Sequence, residues 1–92
     1  MSESADQKLQ ITNELGMHAR AATKFVQTAN KYTSVITVEK DGQSVNGKSI
    51  MGVLMLAAAK GMSVQLDCRG DDAPECLEEL RKLIADKFGE SQ

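Results

Sequence analysis

Apolar and polar positions alternate over residues 8–12, with Leu9 and Ile11 on one face, and this period of two predicts a short half-buried strand. Asn13, Glu14, Leu15 and Gly16 break the pattern. Over residues 19–31 the apolar side chains of Ala22, Phe25, Val26 and Ala29 recur at helical spacing, and Asn30 suits the exit of a first helix. Residues 33–40 are β-branched and alternating. The Asp41-Gly42 pair before residues 43–46 then signals a two-residue hairpin, which makes the second and third strands antiparallel neighbours. A second helix is predicted over 49–59, preceded by Gly47 and Lys48 and followed by Gly61, with Ser49 as its cap or first residue. Met62, Val64, Leu66 and Cys68 alternate with Ser63, Gln65, Asp67 and Arg69, a fourth strand with one wet face. Asp72 is placed to cap a third helix, with Pro74 in its first turn and Glu75 three residues after the cap. Leu77, Leu80, Leu83, Ile84 and Phe88 supply its buried stripe and Gly89 ends it.

The order βαββαβα, free of internal repeats and linkers, predicts an α+β fold: a four-stranded antiparallel sheet with three helices on one face. Its other face, carrying Lys8, Gln10 and Gln65, is expected to meet solvent. One domain covers residues 1–92, with 1–7 as a loose N-terminal extension.

Composition narrows the function classes. Ninety-two residues, 41% hydrophobic and 26% charged, suffice for one compact domain and are too apolar for a disordered chain. Thirteen acids against eleven bases leave a formal charge of −2, which offers no electrostatic footprint for nucleic acid or an anionic membrane, and neither partner is expected. The opening MSESADQKLQ lacks the basic end and apolar run of a signal peptide, so a cytoplasmic address is expected. The most apolar stretch, residues 50–59, is half of the ~20 needed to span a bilayer. Cys68 and Cys76 form no C-x-x-C pair and the single histidine lies far away, which argues against a metal site and for two free thiols on a strand and a helix. No cofactor motif is present, and no glycine-rich phosphate loop.

Any reaction must therefore run through His18 or be minimal. His18 sits where the 13–17 loop meets the first helix, at or beside its N-cap, so the free backbone N–H groups of Ala19, Arg20 and Ala21 point towards its ring. The partial positive charge at that helix end disfavours an imidazolium and favours a bound anion. Arg20 adds a planar multi-donor cation suited to phosphate oxygens. Two readings stand at this point: a histidine that accepts and holds a phosphoryl group, or one that only caps the helix beside a solvated arginine.

The second helix is apolar nearly all round: Ile50, Met51 and Leu54 cover an arc of ~100°, Val53 and Leu56 another side and Met55 a third. A helix lying on one sheet in so small a domain leaves part of that surface exposed as a partner site, unless neighbouring helices cover it. Ser49 stands at its edge, where a phosphate would sit at the helix N-terminus beside Ile50 and Met51 and alter docking without unfolding the chain.

The segment NELGMHARAA (13–22) resembles the phosphorylation loop of HPr, the histidine-containing phosphocarrier family of the bacterial phosphoenolpyruvate-dependent sugar phosphotransferase system. GKSIMGVLMLAAAKG (47–61) is similar to that family's regulatory serine segment, and the similarity runs from about Lys8 to Gly89. The resemblance implies an open-faced β-sandwich. It implies His18 as the acceptor, through Nδ1, of a phosphoryl group from phosphorylated Enzyme I, and IIA proteins as the recipients. By the same resemblance Arg20 assists transfer, Ser49 is the target of HPr kinase/phosphorylase where that enzyme exists, and Ile50, Met51 and Leu54 form the docking surface. Such a chain is a phosphoryl-transfer component and not a stand-alone turnover enzyme. It is expected to be a monomer, with transcriptional regulators as further partners. One departure is Ala21, where the family usually has proline; alanine restores an N–H in the first helical turn and gives up a pre-set φ.

Two other roles remain open. One is a regulatory phosphocarrier of a truncated or nitrogen-related branch. The other is a non-catalytic module docking through Ile50, Met51 and Leu54.

Overall fold

A computed structural model describes residues 3–92. The chain runs through β1 (Glu3–Gln10), α1 (Ala19–Ala29), β2 (Val35–Lys40), β3 (Gln43–Asn46), α2 (Ile50–Met55), β4 (Ser63–Gly70) and α3 (Ala73–Ala85), then a 3₁₀ turn at Lys87–Gly89. The four strands form one antiparallel sheet in the order β1-β4-β2-β3. The predicted α+β architecture is the observed one.

Period-two patterning accounts for the sheet. In β4, Val64, Leu66 and Cys68 are fully buried while Ser63, Gln65 and Asp67 lie on the other face. In β2, Ile36 and Val38 join the buried set. From the helices Ala22, Phe25, Val26, Val53, Leu80 and Ile84 pack against them. The opposite face is polar, with Lys8 and Gln10 exposed and the Gln65 amide donating to the Asp6 carboxylate at 2.8 Å.

Several boundaries differ from the expectation. Strand β1 begins at Glu3, so residues 3–7 are no loose extension: they pair with β4 from Glu3↔Gly70 onward, the backbone ladder holding a segment whose side chains carry no apolar alternation. Residues 1 and 2 of that extension lie outside the described residues. Met62, counted with the buried face of the fourth strand, precedes it and is exposed.

Helix α2 stops at Met55 and not at Ala59. Ala57 takes a left-handed φ of 50°, and the Ala58 carbonyl accepts the Met17 amide at 2.8 Å, so the backbone leaves the helix to hold the loop ahead of α1. Asp72 occupies the N-cap position of α3, yet its carboxylate makes no cap bond. It accepts from the Thr33 amide at 2.8 Å, the Ser34 amide at 3.0 Å and the Ser34 hydroxyl at 2.5 Å, clamping the entry of β2 to the start of α3. Phe88 is buried as expected, but in the turn after α3, where Lys87 and Phe88 both adopt left-handed backbone.

Cys68 and Cys76 are free and buried, sulfur to sulfur 4.0 Å apart. Burial pushes the Cys76 thiol up to about 12 and the Cys68 thiol upward as well, so both behave as small apolar side chains. Among the described residues no helix is long and apolar enough to cross a membrane.

Candidate functional site

The loop before α1 is built around Gly16. Its φ is 66°, and a Cβ there would lie 2.6 Å from the Ala58 carbonyl oxygen and 2.8 Å from Ala59 Cα, so both conformation and space require glycine. Asn13, fully buried, closes the loop by donating from Nδ2 to the Gly16 carbonyl at 2.8 Å. Met17 is buried against the core, and the next residue, His18, is the N-cap of α1 in extended conformation.

Both ring nitrogens of His18 are engaged. Nδ1 accepts from the Arg20 backbone N–H at 3.3 Å, which places its lone pair against the helix N-terminus. Nε2 lies 2.5 Å from the Glu90 carboxylate. A nitrogen that accepts an amide proton carries none of its own, so this pattern assigns the ring proton to Nε2. The imidazole is about a quarter exposed, with 28% of its side-chain surface open.

Glu90 reaches the ring because the chain reverses after α3. The left-handed pair Lys87 and Phe88 turns the backbone, Phe88 anchors it in the core, and Lys24 Nζ donates to the Phe88 carbonyl at 2.7 Å. The second Glu90 oxygen accepts from Asn13 Nδ2 at 3.0 Å. These bonds, Asn13 first and His18 second, hold the Glu90 carboxyl below its ordinary range. An open depression joins His18, Ala19, Arg20, Lys24 and Glu90, with Glu14 and Leu15 on its rim.

The structure places His18, Ala19 and Arg20 around one depression, with Arg20 exposed. Ala21 is fully buried and lies off the depression, which makes its amide the least accessible of the three proposed donors. Sequence reasoning missed Asn13 and Glu90. An asparagine three residues before a glycine is a recognisable loop closer, but nothing local points to a glutamate 72 residues from the histidine it meets.

The second candidate segment lies on α2. Ser49 is its N-cap, with Oγ accepting from the Gly52 amide at 3.0 Å. Ile50, Met51 and Met55 are exposed, while Val53 and Leu56 are buried. Leu54, expected on the open surface, is half-buried against the core. Leu15 is a further exposed apolar side chain and lines the depression beside His18.

Comparison with known proteins bears on the family and the fold. The family described as PTS HPr component phosphorylation site matches residues 5–86. The phosphocarrier protein HPr of Neisseria meningitidis serogroup A is 49% identical over 86 residues, which cover 94% of this chain and 97% of that one. A crystal structure of HPr-C-His from Thermoanaerobacter tengcongensis superposes with a TM-score of 0.93 at 46% identity, covering 96% of this chain and 99% of the other. A crystal structure of an HPr dimer from the same organism gives a TM-score of 0.77 at 50% identity over 89% of this chain and 94% of that one. With the family matched over residues 5–86, and the Neisseria protein and the HPr-C-His structure matched almost end to end, the chain belongs to the HPr family of phosphotransferase-system phosphocarriers.

Proposed function

We propose that this chain relays phosphoryl groups through His18, accepting them from phosphorylated Enzyme I and donating them to IIA components of the sugar phosphotransferase system. The observation that carries this reading is the N-cap placement of His18, with Nδ1 directed at the Arg20 amide and the proton held at Nε2. In the accepting step the Nδ1 lone pair forms the N–P bond as the bond from phosphorus to the donor breaks, its electron pair returning to the donor. The arriving phosphoryl oxygens replace Nδ1 as acceptors of the Arg20 amide, with the Ala19 amide and the exposed Arg20 guanidinium beside them. Donation reverses these steps, and the chain turns over no small molecule of its own.

Ile50 and Met51, with half-buried Leu54 behind them, form the docking surface for Enzyme I and IIA proteins. Phosphorylation of Ser49 by HPr kinase/phosphorylase sets a dianion against Ile50 and Met51 and weakens that docking. The carrier works in the cytoplasm as a monomer, because one small face must serve successive partners.

Purified protein incubated with phosphoenolpyruvate, magnesium and Enzyme I tests the reading by intact mass. A single acid-labile, base-stable phosphoryl adduct, absent from His18→Ala, is expected. No adduct on a folded chain with active Enzyme I would instead favour a docking module.

A further inference from the structure

We propose that Glu90 is a positioning residue for His18: oriented by Asn13, its carboxylate holds the Nε2 proton of the imidazole, leaving Nδ1 as the nucleophilic nitrogen and keeping that proton in place once Nδ1 carries phosphorus. The inference rests on the phosphocarrier reading above and adds to it the group that governs the ring's protonation.

The geometry supplies each part. One Glu90 oxygen lies 2.5 Å from Nε2 and the other accepts Asn13 Nδ2 at 3.0 Å, so the carboxylate is fixed from both sides. Asn13 is itself fully buried and anchored to Gly16, and the Glu90 side chain is only 15% exposed, which limits solvent screening of the contact. The other charged groups around the depression do not compete for the ring. Glu14 is paired with Lys60 at 2.9 Å, Lys24 is committed to the Phe88 carbonyl, and Arg20 meets the ring through its backbone amide. Lys87 acts on Glu14, and Lys24 also acts on Glu90 itself, from the carboxylate's side and not the ring's.

Proton and charge balance give the carboxylate its purpose. Attack by Nδ1 with the proton retained on Nε2 turns the neutral ring into a phosphoimidazolium, and the negative carboxylate 2.5 Å away offsets the charge that develops. In the donating step the P–N bond breaks with its electron pair returning to Nδ1. Because Nε2 is still protonated, the departing ring is a neutral imidazole and not an imidazolate. Loss of the Nε2 proton would leave a phosphoryl group that transfers poorly.

The test compares wild type with Glu90→Gln, which keeps the shape and removes the charge. In the unphosphorylated protein, ¹⁵N shifts of the His18 ring report the tautomer; wild type is expected to be protonated at Nε2, and the variant to show a mixture. In protein phosphorylated by Enzyme I and phosphoenolpyruvate, the alkaline limb of the pH profile for hydrolysis is expected to move about one unit lower in the variant, about tenfold in rate on that limb. Glu90→Asp, which retains a carboxylate, should recover much of the wild-type profile, a result that mere loss of tail packing would not give. Identical tautomers and superimposed profiles in wild type and Glu90→Gln would overturn the proposal. If wild type takes up no phosphoryl group, the phosphocarrier reading fails instead, and the tautomer measurement still decides whether Glu90 governs the ring.

Discussion

The Met17 amide donates to the Ala58 carbonyl at 2.8 Å, tying the residue before His18 to the segment that follows α2. Through this bond the histidine loop and the α2 segment form one surface, although 41 residues separate the two partners in the chain.

That junction depends on Gly16. Gly16→Ala puts a Cβ against the Ala58 and Ala59 backbone at a φ of 66°, and neither neighbour is the flexible end of a side chain. A cost of about 2 kcal/mol, a fall in Tm on the order of 10 °C, is expected. Phosphoryl transfer should fall with it, since His18 loses its support. A variant with unchanged Tm and unchanged transfer would show that the junction adapts freely.

Ser49 offers a separation of stability from docking. Ser49→Ala deletes the bond to the Gly52 amide and is expected to cost about 1 kcal/mol by denaturant unfolding. Ser49→Asp keeps an N-cap acceptor and should leave Tm nearly unchanged while weakening the complex with Enzyme I in a titration. A large loss of stability with unaltered binding would reduce Ser49 to a helix cap.

Ala21→Pro restores the family's usual residue. Ala21 is the third residue of α1, where no intrahelical acceptor exists for its amide, so proline removes no helical bond. A folded protein with a transfer rate of the same order is expected. A rise by orders of magnitude would mean that alanine had crippled the site.

Acid should loosen the clamp between β2 and α3. The Ser34 hydroxyl first, and then the Thr33 amide, hold the Asp72 carboxyl down at about 2 against an ordinary value near 3.8. A carboxyl depressed in the folded state contributes stability that is fully present above its unfolded value and is lost as pH falls from about 4 towards about 2. Asp72→Asn is therefore expected to be less stable at neutral pH and to show a flatter stability profile across that window in urea titrations. Parallel profiles for the two proteins would place the acid sensitivity in other carboxylates.

Much of this fold was legible along the chain. Val64, Leu66 and Cys68 on one strand face, Ala22, Phe25, Val26 and Ala29 at helical spacing, and Asp41-Gly42 between two strands are local patterns, and local patterns define elements because side-chain direction repeats with backbone period. His18 and Arg20 could be placed together because they are two residues apart at a helix start, and Ser49 because a serine before a helix is a local signal. What depends on distant partners was not legible. Residues 3–7 form a strand only because β4 lies beside them, α2 ends early because Met17 needs the Ala58 carbonyl, and Asp72 leaves its own helix for Ser34 and Thr33. Glu90 against His18 is the clearest case: side-chain periodicity contains no information about a tail that folds back, and only the turn at Lys87 and Phe88, paid for by burying the Phe88 ring, brings that carboxylate to the imidazole.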